Sequence, residues 1–365
     1  MTFSRRHFCL ATLAVPAFAA KPAGEQPNIV LIAADGVGAW LLGCYGNKEV
    51  RTPNIDRLAK TGTRFLNHYA GAPVASAGRE SLLGGVEKLL TGAGYSVQTV
   101  TGAPGAAQYL DMPASGKPWL LIANFSPYQA AAEPKYLAPY AQSKFDTWAQ
   151  EPPAKNAARN QEMMGRNLLA NLRNVAAQTA AFDDQVGAIA NAIEQKKLGD
   201  RTLIVFTATC GSLFGAHGLW GDGEASNPIN MYEEVVNTPM IWKWPGRVPP
   251  LAVRPEMVSA SDLAPTLAVL TGAEMAARDL TGRSYMSLAS GIPLPKKQPW
   301  KTTVLARYRN TAMARVDRYK LVVRDEGKGP GELYDDKQDP KERTNQYDNP
   351  QFLTVRSSLM AELRK

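Results

Sequence analysis

Three short stretches of the chain are almost continuously apolar. They cover residues 28–34, 119–123 and 202–206 and are rich in Ile, Leu and Val. Runs of this length and composition are typical of strands that are buried on both faces of a parallel sheet. The first run ends in Asp35-Gly36. Ligands usually bind at the carboxyl ends of such strands, so this polar pair is a candidate functional position.

A different period marks residues 182–197. Apolar residues from Val186 to Ile193 follow the i, i+3, i+4, i+7 spacing of one helix face, and Gly199 follows the last turn as a stop signal. Strands that alternate with helices predict an α/β fold, in which helices cover both faces of a largely parallel sheet. The polar, Pro-containing residues 141–165 are interpreted as a surface excursion.

The pattern changes after Pro295. Partial period-2 alternation predicts strands over residues 302–309, 311–316 and 318–324, and a final helix is expected over residues 352–364. We therefore predict a main α/β domain over residues 21–295. Residues 296–365 are predicted to form a small C-terminal α+β subdomain with an antiparallel sheet and a helix.

The first 20 residues have the three parts of an export signal. Arg5-Arg6 precede a short apolar run over residues 8–15, and Ala17-Phe18-Ala19 fits a cleavage site. The arginine pair indicates the twin-arginine route, and the run is too short to span a membrane. We expect a periplasmic or extracellular protein, the alternative being a frayed cytoplasmic N-terminus. Removing these residues would lower the net charge from +8 to +6.

The charge distribution and the cysteine content indicate which kinds of partner and ligand to expect. Residues 296–324 carry nine Lys or Arg residues against one acid, Asp317. This segment could attract a sulfated polysaccharide, or it could be a solvated sheet edge that its charges keep unpaired. Nucleic acid is not expected, because the chain has an export signal and no nucleic-acid motif. Cys44 and Cys210 are interpreted as small buried residues, since neither lies at zinc-ligand spacing.

Several short blocks occur in order along residues 27–350. The early blocks are PNIVLIAAD (27–35), TPNIDRL (52–58) and APVASAGR (72–79). Later blocks are GAHGLWG (215–221), YEE with TPMI (232–241), SDLAPTL (261–267), LTGRS (280–284) and ELYD (332–335). In sequence and order they resemble the type I, formylglycine-dependent sulfatases. The resemblance implies the alkaline phosphatase-like α/β fold and a history of sulfuric ester hydrolysis.

The chemical positions of that family mostly differ here. The family reads Cys-x-Pro-x-Arg after Ala-Pro-Val, and its oxidised cysteine is the nucleophile; this chain has Ala75 there and keeps Arg79. Where the family has two consecutive aspartates, this chain has Asp35-Gly36. Where the family has a late Asp-His or Asp-Asn metal pair, this chain has Thr209-Cys210. Further expected lysines and histidines are replaced at residues 101–105, 126–129 and 222. Asp35, Arg79 and His217 retain the family's side-chain types.

These differences predict a weak or lost metal site. By the resemblance, Asp35 and Thr209 would be its remaining ligands, whereas Ca²⁺ prefers six to eight oxygens with several carboxylates. We expect no cofactor, with calcium the candidate if a site survives. Ser76 is the substitute nucleophile to consider, although on a helix it would point about 100° away from residue 75.

Three further residues are candidates for ligand contact. Arg79 could bind an anion at a helix N-terminus or form a salt bridge with Asp35. His217 could donate a hydrogen bond or a proton to a ligand, or it could hold its own loop. By the resemblance, Tyr128 lies where a histidine follows a strand and could line the substrate pocket.

The sequence therefore predicts an exported sulfatase-family protein whose hydrolytic centre is inactive or strongly impaired and which could still bind a sulfated or other anionic saccharide. Two alternatives remain open. One is an active sulfate or phosphate ester hydrolase that uses Ser76, Thr209 or a metal-bound water near Asp35. The other is a polyanion-binding module that acts through the basic C-terminal subdomain.

Overall fold

The computed structural model describes residues 26–112, 116–165, 167–276 and 282–364, in which helices pack against two sheets. The strands are β1 Asn28–Ala34, β2 Thr63–Tyr69, β3 Ser96–Thr101, β4 Trp119–Phe125, β5 Thr202–Ala208, β6 Met240–Lys243, β7 Ala252–Ser259, β8 Thr303–Tyr308, β9 Thr311–Val316, β10 Tyr319–Arg324 and β11 Glu332–Asp335. The α-helices are α1 Pro53–Lys60, α2 Ala75–Leu83, α3 Val86–Gly92, α4 Gly102–Leu110, α5 Pro134–Leu137, α6 Leu168–Gln195, α7 Glu233–Val236, α8 Leu263–Thr271, α9 Met286–Ser290 and α10 Leu353–Leu363.

The larger sheet has the strand order β3-β4-β1-β5-β6-β2-β7, and β6 alone runs antiparallel to its neighbours. Strand β1 lies between β4 and β5, with Ile29 opposite both Leu120 and Leu203. All residues of β1 and β5 are buried. This explains why both strands are continuously apolar, and it brings the carboxyl ends of β1, β4 and β5 to the same edge.

Alternate residues of β1 face opposite sides of the sheet, as strand geometry requires. Ile29 and Leu31 belong to one core cluster, which includes residues of α2, α3 and α8. Val30 and Ile32 belong to the other, which is formed with α1, α4 and the second half of α6. Helices thus cover both faces of the sheet, and the predicted α/β fold class is confirmed.

Helix α6 is longer than the sequence pattern predicted. Its second half follows the predicted periodicity, but it begins at Leu168, where Ala-rich sequence gives a weaker apolar signal. This first half packs against Phe145, Trp148 and Met164. The segment 141–165 is therefore mostly exposed, as predicted, but is fastened to the domain by three buried side chains.

The C-terminal strands form an antiparallel sheet in the order β11-β10-β9-β8. Leu321 and Leu333 pack against α10 on one side. On the other side, Met313 and Val322 pack with Tyr69 at the end of β2. The predicted antiparallel sheet and final helix are confirmed, whereas the division at residues 295 and 296 stays a prediction.

Many cations of the basic segment 296–324 are paired rather than free. Lys320 has no exposed surface, and its ammonium lies 2.5 Å from Glu342 and 3.4 Å from Glu233. Burial by itself lowers the pKa of Lys320, but the two carboxylates outweigh it and raise the pKa above its usual value. Other pairs within the segment or at its border are Lys301–Asp262, Arg309–Glu224, Arg315–Asp336, Arg318–Asp335 and Arg324–Glu332.

The export signal, predicted over residues 1–20, lies outside the described residues, as do Leu280 and Thr281 of the LTGRS block. Within the described part of the chain, no helix combines the length and apolar character needed to cross a bilayer.

Lys320→Met should destabilise the protein by about 3–5 kcal/mol, because it leaves Glu233 and Glu342 without their buried cation. Urea unfolding followed by circular dichroism measures the change. Lys337→Met is the matched control, since Lys337 forms an exposed pair with Asp317 that should contribute only about 0–1 kcal/mol. Equal effects of the two substitutions would contradict the structural role of Lys320.

The buried His68 on β2 should make the fold acid-sensitive. Burial lowers the pKa of His68 to about 3, and its Nδ1 lies 2.8 Å from the Thr238 hydroxyl oxygen. An unfolded histidine takes up its proton near pH 6.5, whereas the folded one stays neutral down to about pH 3. Stability is therefore complete above pH 6.5 and falls as the pH drops, by at most about 1.4 kcal/mol per pH unit from this residue.

Unfolding free energies of the native protein and His68→Asn, measured from pH 7 to pH 4, test this prediction. The variant should be less stable at pH 7 but should lose less stability on acidification. Parallel pH profiles for the two proteins would show that His68 does not carry the acid sensitivity.

Candidate functional site

A cleft of about 350 Å³ lies at the carboxyl edge of the larger sheet. Its walls include Asp35 after β1, Ser126 after β4 and Cys210 after β5. Ala75, the first residue of α2, also lines it. The parallel strands end together here, so residues that are far apart in sequence converge in one place.

Asp35 is the centre of the hydrogen-bond network beside the cleft. Its Oδ1 accepts bonds from Arg79 Nη2 and from the Thr209 hydroxyl, both at 2.7 Å. Its Oδ2 accepts a bond from the Ser126 hydroxyl at 2.8 Å. Arg79 also donates through Nη1 to Asn124 Oδ1. The structure thus brings Asp35, Arg79 and Thr209 together, and Arg79 forms the salt bridge that was one of its two predicted roles.

The start of α2 presents a methyl group to the cleft. Val74, the residue before α2, makes no side-chain capping hydrogen bond. Its side chain therefore provides no acceptor for the N–H groups of the first turn. Ser76 is exposed and does not line the cleft. The neighbouring serine is therefore poorly placed for attack on a ligand held there, and its role as nucleophile stays an untested prediction.

Gly36 stands where the resemblance expects a second aspartate, and its surroundings leave no room for that side chain. Its φ is +75°, and a Cβ at this position would lie 2.9 Å from the Ser212 hydroxyl oxygen and 3.3 Å from the Tyr128 ring. Side chains other than glycine are strained in this conformation. With Ser212 and Tyr128 in place, a carboxylate at residue 36 would not fit.

Tyr128 contributes its ring to the cleft and directs its hydroxyl elsewhere. The hydroxyl lies 3.1 Å from Thr179 Oγ1 on α6, and the ring packs edge-on against Phe214. Burial raises the pKa of Tyr128 above its usual value. The side chain is therefore a neutral wall and not a charged ligand group.

Burial also changes the pKa of two other groups at the cleft, the Cys210 thiol and the Asp222 carboxyl. Burial and then the nearby Asp222 carboxylate raise the pKa of the Cys210 thiol to about 12. The thiol therefore stays protonated near neutral pH and is a poor nucleophile or metal ligand. Burial also raises the pKa of Asp222, whose Oδ1 accepts the Glu224 N–H at 3.0 Å.

His217 does not line the cleft. Its ring stacks on Tyr232, with centroids 3.6 Å apart and planes 8° apart, and its Nε2 lies 3.4 Å from Glu234 Oε2. Its backbone N–H donates to Glu151. These contacts match the loop-holding role that the sequence left open, and contact with a cleft ligand stays a prediction without support from its position.

His217, Glu234 and Glu342 are close enough for their ligand atoms to lie within 4.8 Å of one another. The ammonium of Lys320 already lies 2.5 Å from Glu342. A metal ion in this cluster would have to compete with a buried cation, which is unfavourable.

The cleft residues do not fit a calcium ion as they are placed. Both Asp35 oxygens already accept hydrogen bonds, and a guanidinium group lies 2.7 Å from one of them. Thr209 and Ser126 direct their hydroxyl hydrogens at the same carboxylate. Calcium needs several oxygen ligands and would be repelled by the adjacent arginine.

A family model for sulfatases matches residues 27–104 and 96–273. The chain belongs to the sulfatase family. A second model, for the C-terminal part of N-sulphoglucosamine sulphohydrolase, matches residues 226–365. The resemblance seen in the ordered sequence blocks is therefore confirmed.

Individual sulfatases are also similar to this chain in sequence. Arylsulfatase A of Homo sapiens is 26% identical over 358 aligned positions, which cover 75% of this chain and 70% of that protein. Steryl-sulfatase of Mus musculus is 48% identical over 66 residues, or 18% of this chain. The chain matches only about 11% of the length of steryl-sulfatase and of human arylsulfatase D.

Solved structures confirm the alkaline phosphatase-like fold. A protein solved with its substrate D-glucosamine-2-N,6-O-disulfate has a TM-score of 0.79 at 19% identity, with 93% of this chain and 97% of that chain covered. The phosphonate monoester hydrolase of Agrobacterium radiobacter has a TM-score of 0.75 at 18% identity, with 93% and 95% covered. At these identities the likeness concerns the fold alone.

Sequence reasoning missed two groups at the cleft. Ser126 was noted only as part of a segment that replaces a histidine, and its bond to Asp35 depends on where β4 ends. Arg159 and Asn160 line the cleft from the segment 141–165, which was interpreted as a surface excursion. The buried Phe145 and Trp148 were the available signal that this segment returns to the domain.

Calcium should not stabilise this protein. A site with a dissociation constant of 10 µM would add about 2.7 kcal/mol at 1 mM calcium and raise the melting temperature by several degrees. We expect a change below about 1 °C between 1 mM calcium and EDTA in differential scanning fluorimetry. Arg79→Gln is the informative comparison, because removal of the guanidinium should increase any calcium response. Stoichiometric calcium in the purified native protein would contradict the prediction.

Proposed function

We propose that this protein is an exported member of the sulfatase family that binds a sulfated saccharide in the Asp35 cleft. It does not hydrolyse the sulfate ester of this ligand at the rate that active members of the family reach. The observation that carries the proposal is Ala75 at the first position of α2, inside the cleft. A methyl group has no lone pair for attack on sulfur and cannot be oxidised to an aldehyde.

The surroundings of Ala75 supply no replacement of the same kind. Burial keeps the Cys210 thiol protonated, and the Asp35 carboxylate is engaged by Arg79, Thr209 and Ser126. A serine or threonine nucleophile needs a nearby base that is free to take its proton. The family's nucleophile is therefore absent, and the Asp35 carboxylate near its position is not free to take a proton.

Binding is supported by what the cleft retains. The N-terminus of α2 has no side-chain cap and lies beside the opening, where helix N–H groups favour an anion. Arg159 adds a cation to the wall, and the Asp35 charge is balanced by Arg79. A structural neighbour was solved with a sulfated glucosamine as its substrate, which favours a ligand of that class. Export rests on the signal predicted for residues 1–20.

One observation favours a second candidate, an active ester hydrolase. The Ser126 hydroxyl lines the cleft and donates to Asp35 Oδ2 at 2.8 Å. A serine held by a carboxylate could act as a nucleophile if the carboxylate took its proton. Ser126 is better placed for this role than Ser76, but the Arg79 guanidinium on the same carboxylate opposes proton uptake.

A polyanion-binding module that acts through the basic C-terminal subdomain alone is not favoured, because part of its charge is internal. Lys320 is fully buried and Arg318 is held by three hydrogen bonds to Asp335. These side chains hold the C-terminal sheet together, so they are not a free cationic surface.

Isothermal titration calorimetry with D-glucosamine-2-N,6-O-disulfate tests the proposal. Ala75→Leu should weaken binding by at least about tenfold, because the larger side chain occupies the cleft and costs about 1.4 kcal/mol or more. Ser76→Leu is the matched control, since its neighbouring position faces solvent, and it should change affinity less than about twofold. Equal affinities for Ala75→Leu and the native protein would place the ligand elsewhere.

Sulfate release from the same compound and from an aryl sulfate is measured in parallel. No turnover above the uncatalysed rate is expected. Turnover that disappears in Ser126→Ala would overturn the non-catalytic proposal and establish the second candidate.

A further inference from the structure

Arg159 borders two cavities, the Asp35 cleft and a second cavity of about 400 Å³. A third cavity, of about 760 Å³, shares Arg309 and Asn310 with the second. The three cavities therefore lie next to one another, from the cleft at the larger sheet to the C-terminal sheet, and together they are called the groove.

The junction of the groove is built from two arginines and one carboxylate. Arg159 Nη1 lies 2.6 Å from Glu224 Oε2, and Arg309 Nη2 lies 2.8 Å from Glu224 Oε1. The Tyr308 hydroxyl donates to Glu224 Oε1 at 3.0 Å. The Glu224 carboxylate thus fixes both guanidinium groups.

Both guanidinium groups remain available to a ligand. The side chains of Arg159 and Arg309 are 60% and 62% exposed, whereas that of Glu224 is 13% exposed. A guanidinium group carries five N–H donors in a planar fork, and such forks bind oxyanions through paired hydrogen bonds. The junction thus presents pre-positioned N–H donors to a ligand.

The lining of the second and third cavities carries more cations than carboxylates. The second and third cavities together are lined by five cationic side chains and three carboxylates. Arg307 and Lys328 are exposed members of this set.

We propose that this groove binds a sulfated or otherwise anionic saccharide chain of several residues, and that Arg159 and Arg309 together hold an anionic group at a second subsite. The inference rests on the proposed function, because one end of the chain would occupy the Asp35 cleft. It adds a preference for length, with the C-terminal sheet contributing to recognition. The residues that line the second and third cavities include no aromatic ring, which disfavours single-stranded nucleic acid, since its bases bind by stacking.

Titration of a fully sulfated heparin hexasaccharide and of D-glucosamine-2-N,6-O-disulfate into the full chain tests the groove. The native protein should bind the hexasaccharide at least about tenfold more tightly than the monosaccharide. The double variant Arg159→Gln/Arg309→Gln should lose at least about tenfold in hexasaccharide affinity. Arg159 also borders the first cleft, so Arg309→Gln alone, which leaves that cleft intact, should weaken the hexasaccharide and change the monosaccharide less than about twofold.

Lys337→Gln is the matched control, because Lys337 is 61% exposed and paired with one carboxylate, as Arg159 is, but borders none of the three cavities. It should leave both affinities unchanged. Lys328→Gln provides a second variant in the far cavity and should weaken only the hexasaccharide.

The outcomes separate the groove from the function on which it rests. Equal affinity of the native protein for both ligands, with no effect of Arg309→Gln, would overturn the groove and leave monosaccharide binding in place. Failure of the native protein to bind either ligand would overturn both proposals. Binding of a thymidine hexanucleotide as tight as that of the hexasaccharide would overturn the assignment to a saccharide.

Discussion

The ion pair between Asp35 and Arg79 decides what the cleft can do. Asp35 stands at the end of the central strand β1, and Arg79 reaches it from α2 at 2.7 Å. A carboxylate with a guanidinium, a serine and a threonine around it is a satisfied polar group, which disfavours its use as a calcium ligand. The same contacts oppose proton uptake by Asp35, which a substitute nucleophile would need. One pair thus accounts both for the poor fit of calcium and for the expected lack of catalysis.

A second set of charges joins the C-terminal sheet to the main domain. Lys320 on β10 reaches Glu233 at the start of α7, and Arg324 donates to the carbonyl oxygen of Ile229. Lys320 is fully buried, and loss of its partners would leave an uncompensated charge, so these contacts stabilise the orientation of the sheet. That orientation brings Arg309 to the same carboxylate as Arg159. The extended groove is therefore a consequence of how the sheet is fastened, and no single segment contains it.

The sequence pattern predicted the elements with strong periodicity. Strands β1, β4 and β5, the second half of α6, the first three strands of the C-terminal sheet and α10 all lie where the pattern indicated them. It did not indicate β2, in which Arg64, Asn67 and His68 interrupt the apolar residues, or β3, an edge strand that is mostly exposed. Half-exposed and edge strands carry a weak apolar signal because only part of their surface is buried.

At the site, the chain by itself determined which atoms are absent. Ala75 lacks a nucleophile and Gly36 lacks a carboxylate in any conformation, because side-chain identity does not depend on folding. The tertiary structure decided which of the remaining groups meet. It paired Arg79 with Asp35, buried Lys320, left His217 out of the cleft lining and placed Arg159 and Arg309 on the same carboxylate. These contacts join residues that are tens to hundreds of positions apart, and their partners follow from packing geometry, which local sequence patterns do not encode.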